Sequence, residues 1–92
     1  MTQITDRPER SRYELPIEGG GVAVATYELS PGTMTITHVI VPTHAGGKGI
    51  GGKLAAHAIE AARERGLKIV PACPFMAAYF KHHPELTDRL AK

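Results

Sequence analysis

Cys73 lies between Pro71 and Pro74, directly ahead of a stretch that reads as a helix. A thiol just before a helix N-terminus has its thiolate favoured, which makes it a nucleophile able to take an acyl group from a thioester. The plain alternative is a small buried hydrophobe. His38 alternates with Met34, Ile36 and Ile40, so a regular pleat puts its imidazole on an otherwise apolar face. It reads either as a core histidine satisfied by one hydrogen bond or as a base for Cys73, since two neighbouring parallel strands would carry both residues toward one crevice at their carboxyl ends. Of the other histidines, His44 falls in a loop, His57 on a polar helix face, and His82 and His83 beside Pro84. They are not at ligand spacing, and Cys73 has no partner cysteine, so no metal site is expected.

The second candidate is the stretch from Val39 to Leu54, VIVPTHAGGKGIGGKL, in which an apolar strand runs through a glycine-dense loop into a helix. Gly46, Gly47, Gly49, Gly51 and Gly52 leave backbone amides uncovered, and the helix that follows aims its unpaired first-turn donors at the same place. A phosphate or pyrophosphate is the natural guest, with Lys48 and Lys53 either adding charge or simply solvated. Gly47 to Gly52 fits the dinucleotide pattern GxGxxG, but the next strand ends Val70-Pro71-Ala72-Cys73, without the acid that would hold a ribose. Gly47 to Lys53 fits the start of the triphosphate loop GxxxxGK[ST], but Leu54 replaces the hydroxyl residue that would ligate magnesium.

The elements that must position these residues follow from the pattern. Met1 to Arg10 is polar and reads as a flexible tail. Arg12 to Ile17, Val22 to Leu29 and Thr33 to Val41 read as strands separated by Gly19-Gly20-Gly21 and Ser30-Pro31-Gly32, which gives an antiparallel meander. Ile50 to Arg65 is an amphipathic helix ended by Gly66, and Leu67 to Val70 is a short strand expected to lie parallel to the third. Pro74 to His83 forms a second helix with Phe75, Ala78 and Tyr79 on its core face, and Pro84 to Leu90 a last short one.

Ninety-two residues hold one domain, here 11–92, with a modest core. With 11 basic and 9 acidic residues, charge is too evenly balanced for a massed nucleic-acid surface, so a small-molecule partner is expected. A single cysteine and the lack of any run of about 20 apolar residues point to a reducing cytoplasm and no membrane.

Several segments beyond the loop carry a resemblance. THVIVP (Thr37 to Pro42), GKGIGGKL, ARERGLKIVPACPF (Ala62 to Phe75) and AAYFKHHPE (Ala77 to Glu85) together resemble the small single-domain acetyltransferases of the GNAT type, and Gly46 to Gly51 resembles their [RQ]xxGx[GA] loop. Two positions depart from that pattern: Gly46 stands where the motif carries Arg or Gln, and Ile40 where the small family has an acid. The resemblance implies an α/β domain with a mixed sheet, a minimal GNAT-like fold without the usual N-terminal helices. It implies acetyl-coenzyme A as acyl donor and an amine as acceptor, with the acetyl group passing directly or through Cys73. His38 matches the family's strand histidine, and Tyr79 a tyrosine that protonates the departing thiolate; packing is the alternative for Tyr79. Ile40 and Val41 would pair with the pantetheine amides, while Gly46, Gly47, Lys48, Gly49, Ile50, Gly51, Gly52 and Lys53 would surround the pyrophosphate. A non-catalytic acyl-coenzyme A binding or sensor module is the rival reading.

Overall fold

The computed structural model describes residues 4–46 and 49–91. Alternation of small or apolar residues with polar ones sets its sheet. Ala23, Ala25 and Tyr27 point inward from β3 (Val22–Ser30), and Met34 and Ile36 from β4 (Thr33–Ile40). β1 (Thr5–Arg7) and β2 (Arg12–Pro16) precede them, and β5 (Lys68–Pro71) completes a sheet whose spatial order β1-β2-β3-β4-β5 follows the chain. The first four strands are antiparallel, and β5 lies parallel to β4. The result is the expected mixed α/β architecture.

The crossover to β5 is made by α1 (Ile50–Glu64), which buries Gly51, Leu54, Ala55, Ala58, Ile59 and Ala62. Those positions recur at the three- and four-residue spacing of a single helix face. A Schellman cap ends it: Leu67 N–H donates to Ala62 O at 2.8 Å and Gly66 N–H to Arg63 O at 3.1 Å, with Gly66 at φ +72°. His57 is less solvated than its place on the polar stripe suggests, because its ring packs edge-on to Tyr13 at 5.1 Å between centroids.

α2 (Pro74–Lys81) buries Met76 and Phe80 and packs the expected Tyr79, half-buried, against the core, whereas Phe75 and Ala78 of the expected face are exposed. The prolines at 71 and 74 fix how the chain turns off β5, and that turn rotates the helix so that Cys73, Met76 and Phe80 fall on one buried face. Three 3-10 turns, Pro8–Arg10, Thr43–Ala45 and Pro84–Arg89, complete the fold. After the last of these, Ala91 N–H donates to Ile69 O at 2.8 Å and covers part of the outer edge of β5.

Both helices join the inward side chains of the sheet in one core cluster. Among the described residues, no outward side chain of the strands belongs to that cluster. Arg12, Glu14, Val24, Thr26, Thr35 and Thr37 therefore form an uncovered sheet face.

The N-terminal segment departs from the reading of Met1 to Arg10 as a tail, since Thr5–Arg7 adds a strand. All three side chains are exposed, so no apolar alternation marks the strand in the sequence. Specific polar contacts hold it. Tyr27 donates its hydroxyl to Asp6 Oδ1 at 2.7 Å, and Arg7 Nε lies 3.3 Å from Glu14 Oε1. Glu14 also receives Arg12 Nε at 2.6 Å, with Arg10 Nη1 at 3.8 Å. Hydrogen bonding from Arg12, reinforced by Arg7, holds the Glu14 carboxyl below its ordinary range.

A carboxyl depressed in the folded state stabilises the protein fully above its unfolded pKa, near 4.5, and loses that contribution as pH falls through the folded value. Acid titrations of stability for the native chain and Glu14→Gln should therefore differ most above pH 4.5 and converge below it. Gly66→Ala, which forces a Cβ into the left-handed region, should lower stability by about 1–2 kcal/mol in urea unfolding without changing the m-value.

Candidate functional site

The site begins with an extra residue. Pairing between β3 and β4 shifts register at Thr26/Tyr27, so that Tyr27 faces Ile36 while Thr26 faces His38. Thr37 is the bulged residue, and Thr37 and His38 together oppose Thr26. Its Oγ1 lies 2.6 Å from Thr37 Oγ1 and 3.4 Å from His38 Nδ1. The bulge reverses the alternation that places His38 with Met34 and Ile36. His38 is exposed on the uncovered face, Val39 turns inward opposite Ala25, and Ile40 turns outward opposite Val24 with 55% exposure.

On its other edge β4 loses its partner at the same point. The β4–β5 ladder ends at Ile36 and Pro71, followed by one bond from Ala72 N–H to Ile36 O at 3.1 Å, whereas β4 continues to Ile40. The strands part there. A cavity of about 410 Å³ sits where they separate, lined by Val39 and Val41 from the strand, Ala45, Gly46 and Gly49 from the loop, Ile50, Gly51 and Gly52 from α1, and Phe75 from α2.

The glycines in this cavity have different physical reasons. Gly49 is the N-cap of α1 at φ +74°, a conformation that disfavours side chains, and it offers no side-chain acceptor to the first turn. The first intrahelical bond runs from Lys53 N–H to Gly49 O, which leaves the amides of Ile50, Gly51 and Gly52 without helical partners. No acidic side chain lies in that turn, so the positive helix end is not neutralised locally. Gly51 instead permits close packing: a Cβ there would stand 2.7 Å from Phe75 Cζ. Gly52 faces Tyr79 more loosely: a built Cβ would stand 3.9 Å from Cε1, an ordinary contact that does not demand glycine. Gly51 is thus the glycine that lets α1 approach the aromatic side of α2.

Of the expected binding residues, Val41, Gly46, Gly49, Ile50, Gly51 and Gly52 line the cavity. Gly47 and Lys48 lie outside the described residues. Lys53 is exposed at the first turn but does not line it, and the Ile40 side chain points to the opposite face of the sheet. Val39, Ala45 and Phe75 are the additions. Val39 could be found only by anticipating the bulge. Phe75 is 41% exposed, and its position right after the Cys73-Pro74 turn was the available signal.

The expected catalytic residues are not gathered at one point. Cys73 is 6% exposed and forms the N-cap of α2, its Sγ accepting the Met76 N–H at 3.4 Å. His38 stands across the sheet from it, engaged with Thr26. Tyr79 stacks on His83 at 4.1 Å with an interplanar angle of 20°, and His83 Nδ1 lies 2.7 Å from Tyr79 O. That pair borders a neighbouring cleft of about 290 Å³ with Ala56, Ile59 and Glu60. A larger hollow, about 730 Å³, lies beyond β5 against Lys68, Thr87 and Leu90. It gathers no unpaired helix-start amides, and the Lys68 amine is already turned to Asp88 O. Among the described residues no group of three or more His, Cys, Asp or Glu is placed to share a metal ion, and no helix is long and apolar enough to cross a membrane.

The GCN5-related N-acetyl-transferase family model matches residues 12–90. Among solved structures, the NMR solution structure of a GCN5-like protein from Staphylococcus aureus is similar with a TM-score of 0.77 and 26% identity, covering 97% of this chain and 87% of that one. No curated protein matches the sequence. The match spans the site and nearly the whole chain: this protein is a member of the GCN5-related N-acetyltransferase family.

Proposed function

We propose that the protein transfers an acetyl group from acetyl-coenzyme A to an amine. The observation that carries this reading is the cavity where β4 outruns β5, with three helix-start amides that have no partner within the helix at one end and, at the other, a strand edge without a partner among the described residues. That combination suits a ligand with a diphosphate followed by an amide-bearing chain. The amides of Ile50, Gly51 and Gly52 take the pyrophosphate, with Gly46, Gly47, Lys48, Gly49 and Lys53 around it. The backbone of β4 beyond Ile36, including Ile40 and Val41, takes the pantetheine amides as an added strand would. Ile40 serves through its backbone alone, because its side chain points away. Phe75 and Val39 supply apolar walls.

Acetyl-coenzyme A brings the activated thioester. The amine nitrogen attacks its carbonyl carbon, the new C–N bond forms as the C–S bond breaks, and the nitrogen gives up one proton while the departing thiolate gains one. His38, exposed on the uncovered face at the end of the paired region, is the proposed proton acceptor, and Tyr79 the proposed donor. A second route is favoured by one contact: the Met76 amide donates to Cys73 Sγ, which fixes the sulfur at the start of α2 where it could carry the acetyl group. On that route the Cys73 sulfur displaces the coenzyme, and the amine then displaces Cys73.

Intact-mass spectrometry after mixing with acetyl-coenzyme A separates these routes. A 42-Da adduct on the native chain (roughly the mass of an acetyl group replacing a proton) that disappears in Cys73→Ala supports the relay. Turnover of an amine panel without an adduct supports direct transfer. Binding with neither favours the non-catalytic acyl-coenzyme A module and contradicts the enzyme reading.

Gly51→Ala provides a separate check on the cavity. Its Cβ must push the Phe75 ring aside, so coenzyme A binding by calorimetry should weaken roughly tenfold, equivalent to about 1.4 kcal/mol. Stability should hold or rise, because alanine is the better helix former by about 1 kcal/mol.

A further inference from the structure

The uncovered sheet face has an ordered charge pattern. Register places Arg7 opposite Arg12, Arg12 opposite Thr26, and Thr26 opposite His38, so these four residues form one row across β1, β2, β3 and β4. At the usual strand spacing, the row carries about 10 Å from His38 to Arg12 and about 14 Å to Arg7. Arg10 joins its outer end from the 3-10 turn.

Three guanidiniums converge here on a single carboxylate, that of Glu14. Glu14 is the least exposed member, with 14% side-chain exposure, while Arg7 and Arg10 keep 49% and 61%. Glu9 shares the 3-10 turn with Arg10, so Glu14 and Glu9 set two carboxylates against three guanidiniums, and one positive charge is left in excess at the accessible end. Glu28 also points from this face but pairs with Thr35 on the far side of the His38 row. Neither helix covers the surface. An open sheet face suits an extended chain better than a small free amine, and its positive charge is one local row rather than a massed field over the molecule.

We propose that this face docks an acidic polypeptide segment that presents the acceptor amine at His38 and lays its carboxylates on Arg12, Arg7 and Arg10. This inference rests on the acetyl-transfer reading for the amine, but the charge recognition is separable from it. The arginines select the acceptor by its acidic neighbours, about 10–14 Å from the reacting nitrogen.

The test uses fluorescence anisotropy with a fluorescein-labelled peptide of alternating Glu and Ser carrying one lysine, its Gln-for-Glu counterpart, and labelled oligothymidylate. Each is titrated with the full native chain and with Arg7→Gln/Arg10→Gln, which keeps the Arg12–Glu14 pair. Coenzyme A binding is measured on the same samples by calorimetry. The acidic peptide should bind best, lose affinity as salt rises, and bind the double variant about fivefold less tightly, as expected for two exposed ion pairs. Coenzyme A binding should not change. Equal binding of the Glu and Gln peptides, or tighter binding of oligothymidylate, would overturn the proposal. Loss of coenzyme A binding with the peptide preference intact would instead overturn the acetyl-donor reading and leave the acidic-partner surface standing.

Discussion

Thr37 and His38 of β4 oppose the single residue Thr26 of β3, and the functional architecture depends on that mismatch. A bulge disrupts pairing locally and bends its strand. Here it coincides with the last β4–β5 pair, Ile36 with Pro71. The strand beyond is held by β3 on one side and free on the other. Val39 and Val41 line the cavity on the core side while His38 points to the uncovered face, so one irregularity separates two working surfaces of a four-residue stretch.

The second constraint is how closely two helices can meet at the head of that opening. Gly51 lets the first turn of α1 pack directly against Phe75 of α2, with Gly52 in ordinary contact range of Tyr79. Three amides at that turn remain unpaired within the helix, and the glycine N-cap offers them no side chain. A fold with helices on one face alone then leaves the reverse of the sheet free. In the proposed reaction, coenzyme and acceptor therefore approach from different sides of the sheet.

Much of this was legible in the chain. The β-branched run from Thr33, the glycine loop, the spacing of Leu54, Ala58 and Ala62, and Gly66 gave the strand–helix–strand unit because each obeys a local rule. Six of the expected binding residues line the cavity for the same reason. What was not legible depended on pairing between distant segments. Nothing in THVIVP distinguishes a regular strand from one with an extra residue, so the regular pleat puts His38 on the wrong face. Thr5–Arg7 lacks apolar alternation and is a strand only because β2, Glu14 and Tyr27 hold it. Helical spacing alone puts Phe75 on the core face because it cannot fix how α2 is rotated; the buried pair is Met76 and Phe80.

The central claim is that the parted end of β4 and the start of α1 form one ligand site. A titration of isotope-labelled protein with coenzyme A, followed through backbone amide shifts, tests it most directly. The account predicts concentration-dependent shifts at Val39, Val41, Gly49, Ile50, Gly51, Gly52 and Phe75, with the amides of Thr5 to Arg7 unmoved. Shifts centred on Lys68, Thr87 and Leu90, or none at saturating coenzyme A, would contradict it.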